Sequence, residues 1–315
     1  MITRYERTRS ALDMGNAPQI VRPGGHLSFV PSAAIVIRRS ALTDVGGFDE
    51  DLHLGEDVDL CWRLSDAGWT VRYEPRVVVR HQVRSDPTAW LRRRFQYGTS
   101  AADLDSRHPG RLTPARPSPW NVAALGLAAT GHGVLATTVA GTAGMLLRHR
   151  LKSLPAPGRL SAKVLLQGLA ADAAGIGHLL RREWWPIGAI ALATASQSRL
   201  SRAAVAAMLA PIAWEIASQA PQIDPIRYTL LRLIDDAAYG TGVIASCLRS
   251  RNLAPLLPLP AGKQTPRQRD HAPRPTLESS GDPTPSRSSG RQGDHDSAVR
   301  DTRRRRRTTD RHRSP

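Results

Sequence analysis

The 315-residue sequence has few cysteines to form disulfide bonds and no recognisable signal peptide at its first residues. It contains two cysteines, Cys61 and Cys247, which cannot define a disulfide framework. Its first residues lack the apolar run of a signal peptide. Aromatic residues make up 5% of the chain, although the hydrophobic fraction of 41% is enough for a packed core. These absences predict a reducing, cytoplasmic setting.

Charged side chains are missing from residues 120–147, a stretch long enough to cross a bilayer. Its many Ala, Gly and Thr residues make it a weak span, and His132 lies near its middle. Arg148, Arg150 and Lys152 follow, as basic flanks do on the cytoplasmic side. The apolar helical region, residues 120–259, is therefore predicted to associate with a membrane surface, while spanning and a soluble bundle stay open as alternatives.

Large apolar residues are almost absent from residues 260–315, which include five consecutive arginines at 303–307. Such a segment cannot bury enough apolar surface to offset its loss of conformational entropy, so we expect a disordered basic tail. Arginine runs attract anionic lipid and nucleic acid alike by charge. No zinc-finger spacing or aromatic RNA-binding motif accompanies the tail, so no specific nucleic-acid partner is predicted. A non-catalytic basic scaffold that acts through this tail is the alternative function.

Residues 1–119 have the patterns of mixed α/β structure. The apolar run at residues 27–37 predicts a buried strand, and alternation over 69–74 predicts a half-buried one. Residues 77–79 predict a further short strand that leads to His81. Helical spacing over 56–67 predicts a helix that the following glycine caps. The chain thus divides into residues 1–119, 120–259 and 260–315.

Three acids, Glu56, Asp57 and Asp59, stand at the start of the predicted helix, downstream of a Gly-Gly-Phe-Asp turn. Stabilisation by the helix dipole explains one or two of these acids. It does not explain the turn that precedes them. A carboxylate held at a helix start can instead act as a general base toward a hydroxyl. We expect the helix dipole to lower its pKa and so keep it ionised.

Residues 30–39, 46–50 and 56–64 together resemble the second half of family 2 glycosyltransferases with a GT-A fold. The resemblance implies an α/β protein: the C-terminal half of a GT-A sheet, followed by the apolar helical region and the disordered tail. It implies that Asp57 deprotonates the acceptor hydroxyl while a sugar leaves a nucleotide diphosphate with inversion. Glu56 would orient the acceptor or the helix start.

The same resemblance assigns further candidate site residues. Candidates for substrate binding are Gly46, Gly47, Phe48, Asp49, Trp62, Arg63 and Arg93. The arginines at 92–94 fit contact with a diphosphate or an anionic acceptor, or alternatively a solvated or membrane-facing basic surface. His81 matches a late histidine ligand for Mn²⁺ or Mg²⁺, although a lone histidine is as well explained by a structural role.

Longer strings, at residues 4–24, 68–75, 90–102 and 107–110, are similar to the mycofactocin-system branch of that family. The branch implies transfer of glucose from a UDP-sugar donor to a peptide-derived cofactor. The low cysteine content and the apolar region with its basic flank predict a location at the cytoplasmic face of the plasma membrane. The family's nucleotide-binding unit, with an Asp-x-Asp after an apolar strand, is not recognised in this sequence. We therefore expect a truncated enzyme that needs another half for activity, or a remnant with an exposed strand edge.

Overall fold

The computed structural model of the protein describes residues 1–10, 12–79 and 86–261. His81 and the tail from residue 262 onward lie outside these residues. The described residues form eleven α-helices and two short strands. In chain order these are α1 (Ile2–Thr8), β1 (Gln19–Val21), α2 (Arg39–Asp44), α3 (Glu56–Asp66), β2 (Val71–Tyr73), α4 (Pro87–Thr99), α5 (Ala101–Arg107), α6 (Pro119–Ala129), α7 (Gly133–Arg150), α8 (Pro157–Arg181), α9 (Trp185–Ala193), α10 (Arg199–Gln219) and α11 (Pro225–Ser250).

Strands β1 and β2 pair antiparallel, with Ile20 opposite Arg72. The strand predicted at residues 27–37 is wrong, because that segment is irregular around a short 3₁₀ turn at Ser32–Ala34. The strand predicted at 77–79 is also wrong: all three valines are exposed and unassigned. An apolar run forms a buried strand only where neighbouring strands cover it, and none does so in the described part of the chain. The predicted half of a GT-A sheet is accordingly not confirmed.

Helix α3 matches its predicted start and end. Gly55 precedes it in the left-handed region, at φ +84, and the three acids occupy its first turn. At its other end Gly68 has φ +83, and the Trp69 amide donates to the Leu64 carbonyl at 2.9 Å. This arrangement is a Schellman cap, which needs glycine at the left-handed position. Local sequence signals are therefore sufficient to place the helix that carries the candidate base.

The apolar stretch at 120–147 is two helices rather than one. Gly131, at φ +91, ends α6, and α7 begins two residues later. Neither α6 nor α7 alone has both the length and the apolar composition of a candidate membrane-spanning helix. Among the described residues, α10 is the one helix with the length and apolar composition to cross a membrane. Pro211 lies inside α10 without ending it.

Helix α11 packs along α4 at very short range. A Cβ atom on Gly98 of α4 would lie 3.0 Å from the Cα of Gly242 and would overlap the Tyr239 carbonyl oxygen, both on α11. Gly98 and Gly242 therefore let the two backbones touch. Because α4 also carries the arginines at 92–94, this contact fixes where those arginines lie.

We expect Gly98→Ala to lower the free energy of unfolding by about 2–3 kcal/mol, because the added methyl group meets backbone that cannot rotate away. Urea denaturation followed by circular dichroism measures the change. Gly175→Ala is the matched control, since nothing lies within 4 Å of a Cβ there. In the middle of α8 this substitution should raise stability by about 1 kcal/mol through helix propensity. Equal stabilities for the two variants would contradict the close contact.

Candidate active site

Asp57 lies in the first turn of α3 against the 3₁₀ turn. One carboxylate oxygen accepts a hydrogen bond from the Val58 amide at 2.8 Å, and the other accepts one from the Ser32 amide at 3.4 Å. Each oxygen therefore keeps a lone pair for another donor. The carboxylate is held in place and remains able to accept a proton from a hydroxyl.

The pKa of Asp57 is raised above its ordinary value of 3.8, opposite to the sequence prediction. Burial of the carboxyl is the largest cause, and the negative charge of Glu56 adds to it. The backbone hydrogen bonds lower the pKa without offsetting these two effects. A carboxylate with a raised pKa is a stronger base than an exposed one, which suits proton abstraction better than the predicted depression would.

Arg63 holds the Gly-Gly turn in place from within α3. Its guanidinium donates to the Gly47 carbonyl at 2.8 Å and also to the Val45 carbonyl. The same guanidinium forms an ion pair of 2.7 Å with Asp59. Arg63 and Gly47, both candidate substrate-binding residues, are thus in contact with each other. Since Gly46 and Gly47 both have positive φ, at +75 and +77, the turn shape depends on glycine.

Asp59 is buried and has no free oxygen. Its second oxygen lies 2.7 Å from Nε2 of His108, which also packs edge-on against the Trp62 ring. Trp62 is itself buried and donates its indole N–H to the Ser28 carbonyl at 2.9 Å. Asp59 and Trp62 are therefore both buried in the core beneath the candidate site, where their polar atoms bond to the protein.

The remaining residues of the turn differ in their surroundings. Phe48 is exposed, with 42% of its surface accessible, and so is open to a ligand. Asp49 pairs with Arg107 of α5 at 2.7 Å, and this pairing holds the pKa of the Asp49 carboxyl below its usual range. Asp49 is therefore tied to the protein rather than open to a substrate.

A cleft of about 1290 Å³ opens between the irregular segment, β2 and α4. Residues 30–31 and 33–38 line one side, and residues 69–79 line another. Asp57 does not line the cleft itself, but its partner Ser32 belongs to the turn that does. The candidate base thus lies next to the turn that lines the cleft.

Arginine side chains give the cleft a positive lining. Arg7, Arg38 and Arg93 line it and have no ion-pair partner among residues 1–10, 12–79 and 86–261. The guanidinium of Arg93 lies 4.6 Å from the centre of the Tyr97 ring, and its buried Nε has no hydrogen-bond partner. Arg94 instead pairs with Glu6 and Asp235, and Arg92 is exposed. Of the three consecutive arginines, Arg93 is the one placed to meet an anionic ligand.

The described residues do not gather a metal site: no group of three or more His, Cys, Asp or Glu side chains among them could hold an ion. His81, the predicted ligand, lies outside these residues. The residues that the structure describes therefore do not by themselves fit Mn²⁺ or Mg²⁺.

Sequence reasoning missed several residues of the site. The Asp59–Arg63 pair was visible as an i, i+4 spacing on one helix face. His108 and Arg107 gave no local signal, because they meet their partners across 49 and 58 residues of chain. Ser32 contributes only its backbone amide, which no side-chain pattern reveals.

Comparison with known proteins places this arrangement in a class. The model of the family described as glycosyl transferase family group 2 matches residues 1–216. The chain belongs to the family 2 glycosyltransferases.

Two similar proteins come from Mycobacterium tuberculosis. The chain is 37% identical over 268 residues to a protein named pre-mycofactocin glycosyltransferase, from two strains of Mycobacterium tuberculosis. The match covers 82% of this chain and 56% of the relative, so the chain spans little more than half the relative's length. It is also 39% identical over 94 residues to N-acetylglucosaminyl-diphospho-decaprenol L-rhamnosyltransferase of the same species, covering 28% of this chain and 29% of that protein. No solved structure matches the chain.

Proposed function

We propose that this chain takes part in the inverting transfer of glucose from UDP-glucose to a hydroxyl group on a mycofactocin precursor, a peptide-derived acceptor. The observation that carries the proposal is the placement of Asp57: a partly buried carboxylate with free lone pairs, in a chain that belongs to the family 2 glycosyltransferases. Similarity to a pre-mycofactocin glycosyltransferase supports the acceptor. Glucose and UDP are the donor groups that the family resemblance implies.

In the proposed reaction, Asp57 accepts the proton of the acceptor hydroxyl. The acceptor oxygen bonds to the anomeric carbon as the bond from that carbon to the diphosphate oxygen breaks, on the opposite face of the sugar. Arg93, stacked on Tyr97 in the cleft, is placed to stabilise negative charge on the diphosphate or on an anionic acceptor. Arg63 holds the turn that presents Phe48. A bound Mn²⁺ or Mg²⁺, with His81 as a ligand, would supply further charge for the leaving diphosphate.

The direct test incubates the full chain with UDP-glucose and a mycofactocin precursor peptide, and follows the gain of one hexose by mass spectrometry. Product with UDP-glucose, and none without the peptide, is the expected result, and it would also show that the other half expected from the sequence is not required for activity. No hexose gain, with or without added Mn²⁺, would contradict the proposed activity of this chain.

The pH dependence tests the role of Asp57 separately. Because Asp57 must be ionised, kcat/KM should fall on the acid side as pH drops through its raised pKa. Glu56→Gln removes the neighbouring negative charge that helps to raise this pKa. The acid limb of the profile, where kcat/KM falls as pH drops, should therefore move to lower pH. Glu50→Gln, in the loop upstream, is the matched control and should leave the limb in place. An acid limb that does not move in Glu56→Gln would count against Asp57 as the titrating base.

We also propose that the chain associates with the cytoplasmic face of the plasma membrane. Helix α10 has the length and composition of a span, and Trp214 on it is 76% exposed. Large apolar side chains are exposed on α7 and α9 as well, including Val134 and Ile190. Exposed apolar surface of this kind marks interaction with a membrane or another protein. The few cysteines favour the cytoplasmic side.

A further inference from the structure

The turn between α7 and α8 combines positive charge with exposed apolar side chains. We name residues 145–166 the α7–α8 tip. Its cations are all exposed: Arg148, Arg150, Lys152, Arg159 and Lys163. None of them forms an ion pair within the described part of the chain.

Acidic residues do not neutralise this charge. The sequence has no Asp or Glu between Asp105 and Asp172. Asp172 is itself engaged, because it accepts hydrogen bonds from the Ser118 amide and the Asn121 side chain. Among the described residues, the α7–α8 tip therefore presents positive charge without an ion-pair partner, which is available to an external anion.

Apolar side chains lie among these cations. Met145 on α7 and Leu166 on α8 are 67% and 66% exposed, and Leu154 in the turn is 45% exposed. On α8, Arg159, Lys163 and Leu166 follow one another at intervals of four and three residues, so they share one helix face. A face of this composition suits a lipid headgroup layer, where cations meet phosphates and apolar side chains reach the acyl region.

We propose that the α7–α8 tip is the part of the protein that docks on a bilayer of anionic phospholipid. The proposal rests on the membrane association proposed above and assigns it a surface and a lipid class. A nucleic acid would satisfy the cations alone, because its phosphate backbone offers no apolar layer for Met145 and Leu166. The interleaving of the two residue types therefore favours lipid.

The test uses the full chain with a reporter on the α7–α8 tip. Ser153 is exposed in the turn, whereas Cys61 and Cys247 are buried, so Ser153→Cys provides one accessible thiol among the described residues for a polarity-sensitive dye. Vesicles containing phosphatidylglycerol should shift the dye emission to the blue, and brominated lipid should quench it. Vesicles of phosphatidylcholine alone should do neither. A dye on Ser40→Cys, exposed on α2, should not respond.

Two variants with equal charge loss separate the tip from general electrostatics. The tip variant carries Arg150→Gln, Lys152→Gln, Arg159→Gln and Lys163→Gln. The matched control carries Arg22→Gln, Arg39→Gln, Arg72→Gln and Arg249→Gln, all exposed positions. The blue shift should disappear in the tip variant and persist in the control.

Three results would overturn the proposal. A silent dye on a chain that still sediments with the anionic vesicles would show that another part binds the membrane, leaving membrane association itself in place. Failure to sediment with any vesicle would remove both proposals. A dye response to an oligonucleotide, with none to vesicles, would identify the α7–α8 tip as a nucleic-acid surface.

Discussion

Asp57→Asn should lower the rate of the proposed glucose transfer by about 10²–10⁴-fold, the range that a positioned general base contributes. Asparagine has nearly the shape of aspartate, and its amide oxygen still accepts a hydrogen bond from the Val58 or Ser32 amide. It cannot take up the proton of the acceptor hydroxyl at neutral pH. The loss should therefore appear in kcat, with little change in KM for UDP-glucose.

The control for this variant is the stability of the protein. Burial and the charge of Glu56 both disfavour the Asp57 carboxylate, so its neutral replacement should not destabilise the fold at neutral pH. A thermal melt of Asp57→Asn that matches or exceeds the wild type would assign the activity loss to chemistry. Turnover close to the wild-type rate in a folded variant would remove Asp57 from the proposed role.

Asp236→Ala should lower the free energy of unfolding by about 3–5 kcal/mol, as breaking a buried ion pair does. Asp236 of α11 is 4% exposed, pairs with Arg232 on the same helix and lies 3.4 Å from Nε of Arg181 on α8. Removing its carboxylate leaves the buried Arg181 without its anion, and leaves Arg232 with only its longer 3.7 Å pair to Glu215. The measurement is urea denaturation followed by tryptophan fluorescence.

Asp236→Asn is a second, milder variant that keeps the prediction testable if Asp236→Ala does not fold. It keeps the volume and one acceptor oxygen, so it should lose less stability than alanine while still falling below the wild type. Glu74→Ala, which breaks the exposed pair with Arg76, should leave the midpoint unchanged. An Asp236→Ala variant as stable as Glu74→Ala would mean that the buried pair adds nothing to the fold.

The sequence predicts α3 well because its determinants are local. Glycines bound the helix, acids occupy its first turn, and Leu60, Cys61 and Leu64 repeat at helical spacing on its buried face. The same local reading gave the wrong direction for the pKa of Asp57. The helix dipole is a property of the helix alone, whereas the burial that raises this pKa depends on how the rest of the chain packs around the carboxyl.

The strand predicted over residues 69–74 is confirmed as β2, whereas the strands predicted at 27–37 and 77–79 are wrong for a related reason. An apolar run such as residues 27–37 shows that a segment can be buried. A strand also needs a partner strand, and the local sequence does not show where that partner lies. The contacts of Arg63 with Val45 and Gly47 were equally hidden, since they join a side chain to backbone carbonyls.

The Asp49–Arg107 ion pair connects α5 to the turn that contains Phe48. One end of this short helix holds the turn that presents Phe48, and Ala101 and Ala102 on it pack against Val243 and Cys247 of α11. Helix α5 thus links the turn to α11, the longest helix among the described residues. A shift of α11 would therefore reach the turn through this helix and its ion pair with Asp49.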